Sequence, residues 1–167
     1  GKVVGYDNMG SFGQMRIATD SGETTNWQEL VSIPSLVKRF RPRRRASSDP
    51  RTELLRLKAA YLLGDSAARS AVDHEAEWLA LGMSNIFLSI GLPAIVVGGS
   101  IRAIWDLLQE EVFRRCEALT DGAFPATYQI RLGSLMENES LEGAALAAIG
   151  SVIPLDLISM LTNKQKQ

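Results

Sequence analysis

One cysteine, Cys116, and one histidine, His74, are all that the chain holds of the two side chains that most often ligate zinc or serve as nucleophile and base. A single thiol excludes an intramolecular disulfide framework and any multi-cysteine zinc cluster built from this chain alone, and it fits a reducing cytoplasm. His74 stands between Asp73 and Glu75 at polar helix positions, without partners for a triad or a metal, and reads as an exposed helix histidine. Cys116, near a helix end with no histidine beside it, reads as structural. An excess of one charge is lacking too: eighteen basic residues against nineteen acidic argue against a chain-wide nucleic-acid or anionic-membrane surface. The longest apolar stretch, Trp78 to Gly99, is broken by Gly82, Ser84, Asn85, Ser89, Gly91 and Pro93, so no membrane span is expected. No signal peptide pattern opens the chain. Neither a GxxxxGK loop nor GxGxxG occurs, and the phosphate cradle, metal-holding carboxylate and base of phosphoryl transfer are not assembled.

What is present suffices for one soluble domain of 167 residues, 46% apolar and 22% charged. Lys2 to Tyr6 and Gln14 to Ala18 are short strand-like runs around the turn "GYDNMGSFGQ", suggesting a hairpin or two neighbouring strands. Residues 19 to 25 form a polar loop, and Asn26 is placed to cap a short helix through Leu30 and Val31. Ser32-Ile33-Pro34-Ser35 starts a second helix, with proline in its first turn.

Lys38 to Arg45, "KRFRPRRR", carries six basic residues in eight positions. It could contact phosphates, but it lacks interleaved aromatics, and a solvated helix end favoured by the dipole and stopped by Pro42 is the preferred reading. From Asp49-Pro50 a helix presents Leu54, Leu57, Lys58 and Tyr61 on one face and stops at Gly64. Asp65 or Ser66 then caps a long helix, with Ala67, Ala71, Trp78, Leu79, Gly82, Met83, Ile86 and Ile90 at core spacing and Gly91 as its end.

Ile95-Val96-Val97 reads as a buried strand delivering Gly98, Gly99 and Ser100 to its carboxyl end, either a tight turn or a place for backbone to approach a ligand. A helix follows with Ile101, Ile104, Trp105, Leu108 and Val112 on one stripe, then a strand from Thr127 to Leu132 and helices from Ser140 to Ile149 and Pro154 to Thr162. The order strand, strand, helices, strand, helix, strand, helix is that of an α/β layer fold.

Two blocks carry a resemblance. "GDSAARSAVDHEAEWLALGMSNIFLSIGLPAIVVGGSI", Gly64 to Ile101, and "IRLGSLMENESLEGAALAAIG", Ile130 to Gly150, resemble the C-terminal lobe of the ROK family of repressors and sugar kinases. The resemblance implies an actin-like, ribonuclease-H-like fold: a mixed sheet flanked by helices. It implies that residues 1–167 form a single domain, the C-terminal lobe, whose N-terminal lobe, catalytic aspartate, phosphate loops and any winged helix lie upstream.

In that family a turn A-G-E-hydrophobic-G-H precedes a cysteine-rich zinc loop and a C-L-E-x-x-x-S helix start; here "MGSFGQ" and "NWQELVS" are similar to them. Ser11 stands where the family glutamate binds sugar hydroxyls, and Gln14 where a histidine contacts sugar and ligates zinc. Asn26 falls at the last zinc cysteine and Gln28 at a second sugar-binding glutamate, with Glu29 offered by a one-residue shift. Ser, Thr and Asn are poor replacements for thiolates, so no zinc is expected. Hydroxyl and amide groups can still exchange hydrogen bonds with a polyol, which leaves Ser11, Gln14, Gln28 and Glu29 as a degenerate sugar site. Gly98, Gly99 and Ser100 match the family's adenosine-contact turn, half a nucleotide site without its phosphate half, and ATP binding is doubtful.

Three functions are compatible with these residues. The first is the effector-sensing, dimerising lobe of a sugar-responsive transcriptional regulator, without catalysis and touching DNA only through a domain outside this chain. The second is the C-terminal lobe of a divergent ATP-dependent sugar kinase. The third is a scaffold lobe that only dimerises. The absence of a glutamate and a histidine at positions 11 and 14 favours the first.

Overall fold

The computed structural model describes residues 11–19, 22–42, 49–91, 94–121 and 129–133, all within the compact unit Gly5–Gly133. The expected strand at Lys2–Tyr6, the basic residues Arg43 to Arg45, and the helices at 140–149 and 154–162 lie outside the described residues. The described part is α/β, with five helices and two small two-stranded sheets.

A 3-10 turn, Phe12–Gln14, leads into β1 (Arg16–Ala18), which pairs antiparallel with β2 (Thr24–Asn26), Ile17 facing Thr25. This corrects two expectations. The strand expected from Gln14 begins at Arg16, and the polar stretch 19 to 25 holds the start of its partner strand. Thr24, Thr25 and Asn26 show no apolar alternation because Ile17 alone of this ribbon is buried, so the sequence signal for a strand is absent there. The ribbon closes through Thr19 N–H to Glu23 C=O and Gly22 N–H to Thr19 C=O, both 2.8 Å.

Helices α1 (Trp27–Leu30) and α2 (Ile33–Phe40) follow. Ser32 caps α2 by accepting from Ser35 N–H, with Pro34 in the first turn. Helix α3 (Pro50–Leu62) is capped by Asp49, which accepts from the N–H groups of Arg51 and Thr52; the Thr52 hydroxyl also donates to it and leads the effects that lower its pKa. Helix α4 (Ser66–Ile90) is capped by Asp65, accepting from Ala68 N–H at 2.8 Å, and ends on Gly91 in the left-handed region. The core stripe of α4 starts at Ala68, not Ala67, which is exposed, and by Ile90 the helix has run out to solvent.

Strand β3 (Ala94–Val97) pairs in parallel with β4 (Gln129–Leu132), Val97 facing Leu132. Parallel neighbours need a crossover, and α5 (Trp105–Leu119) lies in that connection. The stripe from Ile101 to Val112 is not one helix: Ser100–Ile104 is 3-10, and the α-helix begins at Trp105. One apolar core unites α2 to α5 and β3, with Leu36, Leu54, Leu57, Ile104, Leu108 and Val112 sealed from solvent. Cys116 is buried there, its thiol donating to Ala80 C=O and its pKa raised by burial, as a structural cysteine requires. Arg115 joins α5 to α4 by reaching Asp73 at 2.6 Å while holding Glu111. Among the described residues no helix is long and apolar enough to cross a membrane.

Candidate functional site

The turn at residues 11–14 is stitched to α1 by backbone. Gln14 N–H donates to Ser11 C=O at 2.9 Å, Met15 N–H to Phe12 C=O at 3.0 Å, and Trp27 N–H to Met15 C=O at 2.8 Å. That last bond lays the first residue of α1 beside the end of the turn. Gly13 then meets Gln28: a Cβ on Gly13 would stand 2.9 Å from Gln28 Oε1 and 3.1 Å from Gln28 Cβ, so the Gln28 side chain would have to shift to admit it. The glycine therefore serves a close approach between the turn and the Gln28 side chain. Ser11 and Gln14 flank this contact with exposed side chains. Gly10, the other glycine of the turn, lies outside the described residues.

Ser11 and Gln14 thus stand in the turn whose Gly13 meets Gln28. Glu29 goes elsewhere. Its carboxylate accepts from the Thr25 hydroxyl on β2, and its carbonyl accepts from Ser35 Oγ at 2.5 Å, so the residue fastens α1 to β2 and to the start of α2. Of the two, Gln28 is the residue that lies against Gly13. The group facing Gly13 is a neutral amide, able to donate and accept but bringing no charge.

Asn26 sits at the N-cap position of α1, yet its side chain makes no capping bond there; its Oδ1 accepts from Arg16 Nη1 at 3.1 Å, while Arg16 Nη2 donates to Thr24 C=O at 2.9 Å. The guanidinium at Asn26 is hostile to a dication. Among the described residues no three His, Cys, Asp or Glu side chains converge, and His74 and Cys116 stand on α4 and α5, exposed and buried respectively. The donor set does not fit zinc, which takes thiolate, imidazole or carboxylate. Metal analysis after purification without chelators is expected to find far less than one zinc per chain, and dialysis against a chelator to leave the melting temperature unchanged. One tightly held equivalent would reverse this assignment.

Gly98, Gly99 and Ser100 lie exposed at the carboxyl end of β3. Gly99 has φ +74° and ψ -168°, a backbone state nearly confined to glycine, and it turns the chain from strand into the Ser100–Ile104 segment. Gly133 N–H donates to Val97 C=O at 2.9 Å, extending the parallel pairing to the same end. A separate cleft of about 300 Å³ lies among α3, α4 and α5, lined by Tyr61, Arg69, Val72, Asp73, Ala76, Leu107 and Glu111. Arg115 engages both of its acidic groups.

What anchors α1 from behind was not read from the sequence. The Trp27 indole lies on Gly82 of α4 and donates from Nε1 to Trp78 C=O at 2.7 Å. Arg39, assigned above to a solvated basic run, has its side chain only 24% exposed and reaches the sealed carboxylate of Glu75 at 3.1 Å. A signal for this pair was available. Arg39 follows Leu36 by three residues beside Phe40, and Glu75 lies between Ala71 and Leu79 at four-residue steps, so each charge falls within its helix's apolar stripe.

Compared with known protein families, residues 12–150 match the ROK family. No curated protein matches the chain.

Proposed function

The chain belongs to the ROK family, which spans repressors and sugar kinases, and from that premise we propose that it is the effector-sensing, self-associating lobe of a sugar-responsive transcriptional regulator. On this reading the α/β framework is the C-terminal lobe of a ribonuclease-H-like, actin-like fold, and DNA is touched through a domain outside this chain. The observation that carries the proposal is the Ser11–Gln14 turn packed on Gln28. Its backbone is built for close approach, and its functional side chains are hydroxyl and amide, with Glu29 turned to Thr25. Such groups can bind a polyol through hydrogen bonds, but they supply neither the charge nor the metal ligand of the family's sugar site. A sensor needs only different affinities in two states, and no chemistry.

The alternative, a lobe of a divergent sugar kinase, draws its support from the Gly98-Gly99-Ser100 turn at the carboxyl end of β3, where α/β proteins bind ligands. A thermal-shift screen of neutral sugars and sugar phosphates against the native full-length protein separates the readings. The regulator is expected to give a saturable shift with a neutral sugar or derivative, weakened in Gln28→Ala, and no ATP-dependent phosphorylation of that sugar. Phosphoryl transfer to a hexose would establish the kinase, and the absence of any sugar-dependent shift would remove the sensor.

A further inference from the structure

Glu75 is fully buried in the side of α4 that faces α2. Its Oε2 accepts from Arg39 Nη1, and Arg39 Nη2 donates to the carbonyl of Leu30, the last residue of α1. Its other oxygen, Oε1, is buried with no hydrogen-bond partner among the described residues. Arg39 thus holds two things at once: the carboxylate of α4 and the end of the four-residue helix that carries Gln28.

Burial raises the Glu75 pKa from 4.5 to about 7 against the opposing pull of Arg39. Among the described residues Arg39 is the one charged group acting on it. On the packed elements the other charges are committed or face solvent: Arg115 of α5 to Asp73 and Glu111, Glu53 of α3 to Arg56, Glu29 of α1 to Thr25, with Lys38 of α2 and His74 and Glu77 of α4 exposed.

We propose that Arg39 and Glu75 are positioning residues for the Gln28 turn, forming a protonation-sensitive latch. The ionised pair fixes the guanidinium against the Leu30 carbonyl, and a proton taken from water by Glu75 slackens that hold. As a statement about the ligand site this rests on the sensor reading above; as a statement about α1 it is testable without ligand.

The test is amide hydrogen exchange across residues 27–31 at pH 8.0 and pH 5.5 in the full chain, corrected for intrinsic rates, with urea unfolding measured alongside. Acidification is expected to lower α1 protection about tenfold, the worth of one charge-assisted hydrogen bond. Global stability relative to Glu75→Gln is expected to move the opposite way. A folded pKa of about 7 above the ordinary 4.5 gives stability that is present at low pH and lost as pH rises through 7. Glu75→Gln should show the weaker α1 protection at both pH values. Protection that is indifferent to pH, that follows global stability in sign, or that keeps the wild-type pH response in Glu75→Gln would overturn the latch. None of these readouts uses a sugar, so failure of the sensor reading leaves the test intact. If both hold, the sugar-induced thermal shift will be weaker at pH 5.5 than at pH 8.0 in the wild type and equal at the two in Glu75→Gln.

Discussion

Gly82→Ala is expected to destabilise the protein by about 2–4 kcal/mol, although alanine is the better helix former and position 82 lies deep inside α4. A Cβ there would stand 2.0 Å from Trp27 Cε2, 2.2 Å from Cζ2 and 2.5 Å from Nε1. No small adjustment resolves three overlaps with one rigid ring, so the indole must leave the groove. It then loses its packing and its 2.7 Å bond to the Trp78 carbonyl. The scale is that of truncating a partly buried tryptophan.

The same geometry predicts a change of sign. In a Trp27→Ala background the obstacle is gone, and Gly82→Ala should stabilise by about 0.5–1 kcal/mol through helix propensity alone. Urea unfolding of the four proteins of the cycle therefore yields a coupling energy of about 3 kcal/mol or more between positions distant in sequence. A Gly82→Ala variant as stable as the wild type would mean that the indole does not lie on α4. Because Trp27 also donates its backbone N–H to the Met15 carbonyl, any shift of α1 that follows the indole's eviction should loosen the Ser11–Gln14 turn and, on the sensor reading, weaken the sugar-induced thermal shift.

These positions show how far the sequence could be read. The helix starts at Ser32 and Asp49-Pro50, the cap at Asp65 or Ser66 and the stop at Gly91 are local hydrogen-bond and dihedral requirements written in adjacent residues, and the structure meets each of them, with Asp65 as the cap. The stripes of α3, α4 and α5 are legible for a similar reason, since a 3.6-residue period survives any partner that covers it. Strand β2 was hidden because Thr24-Thr25-Asn26 pairs by backbone alone on an exposed ribbon. The change from 3-10 to α at Trp105 was hidden because a 3-10 turn and an α-turn bury nearly the same face.

At the site, the glycine pattern of the turn showed where backbone comes close, but not to what. Only packing distinguishes Gln28 from Glu29. Gly82 reads as one more small residue in a stripe until a ring from another element is laid on it. Arg39 departs from the solvated basic run because each side chain on a helix points its own way, even within a run of like charges.

Arg39→Ala is expected to destabilise this unit more at high pH than at low. Below pH 6 Glu75 is largely protonated in wild type and variant alike, so the cost is what Arg39 contributes to packing and through its slackened hold on the Leu30 carbonyl, about 2 kcal/mol. Above about pH 7 the two proteins diverge. The wild type releases the proton because Arg39 compensates the charge; the variant has only burial acting on the carboxyl, so its pKa climbs further and the proton stays. The extra loss then grows by about 1.4 kcal/mol for each pH unit above 7, until the pH meets the variant's own pKa. By pH 8 the total is about 3 kcal/mol. Urea unfolding at pH 5.5, 7 and 8 reads this directly, and a loss that is flat or that shrinks with pH would show that Arg39 does not compensate Glu75. Adding Glu75→Gln to Arg39→Ala should erase the pH-dependent part and leave the rest, because a neutral amide needs no counter-charge while the Leu30 carbonyl still lacks its donor.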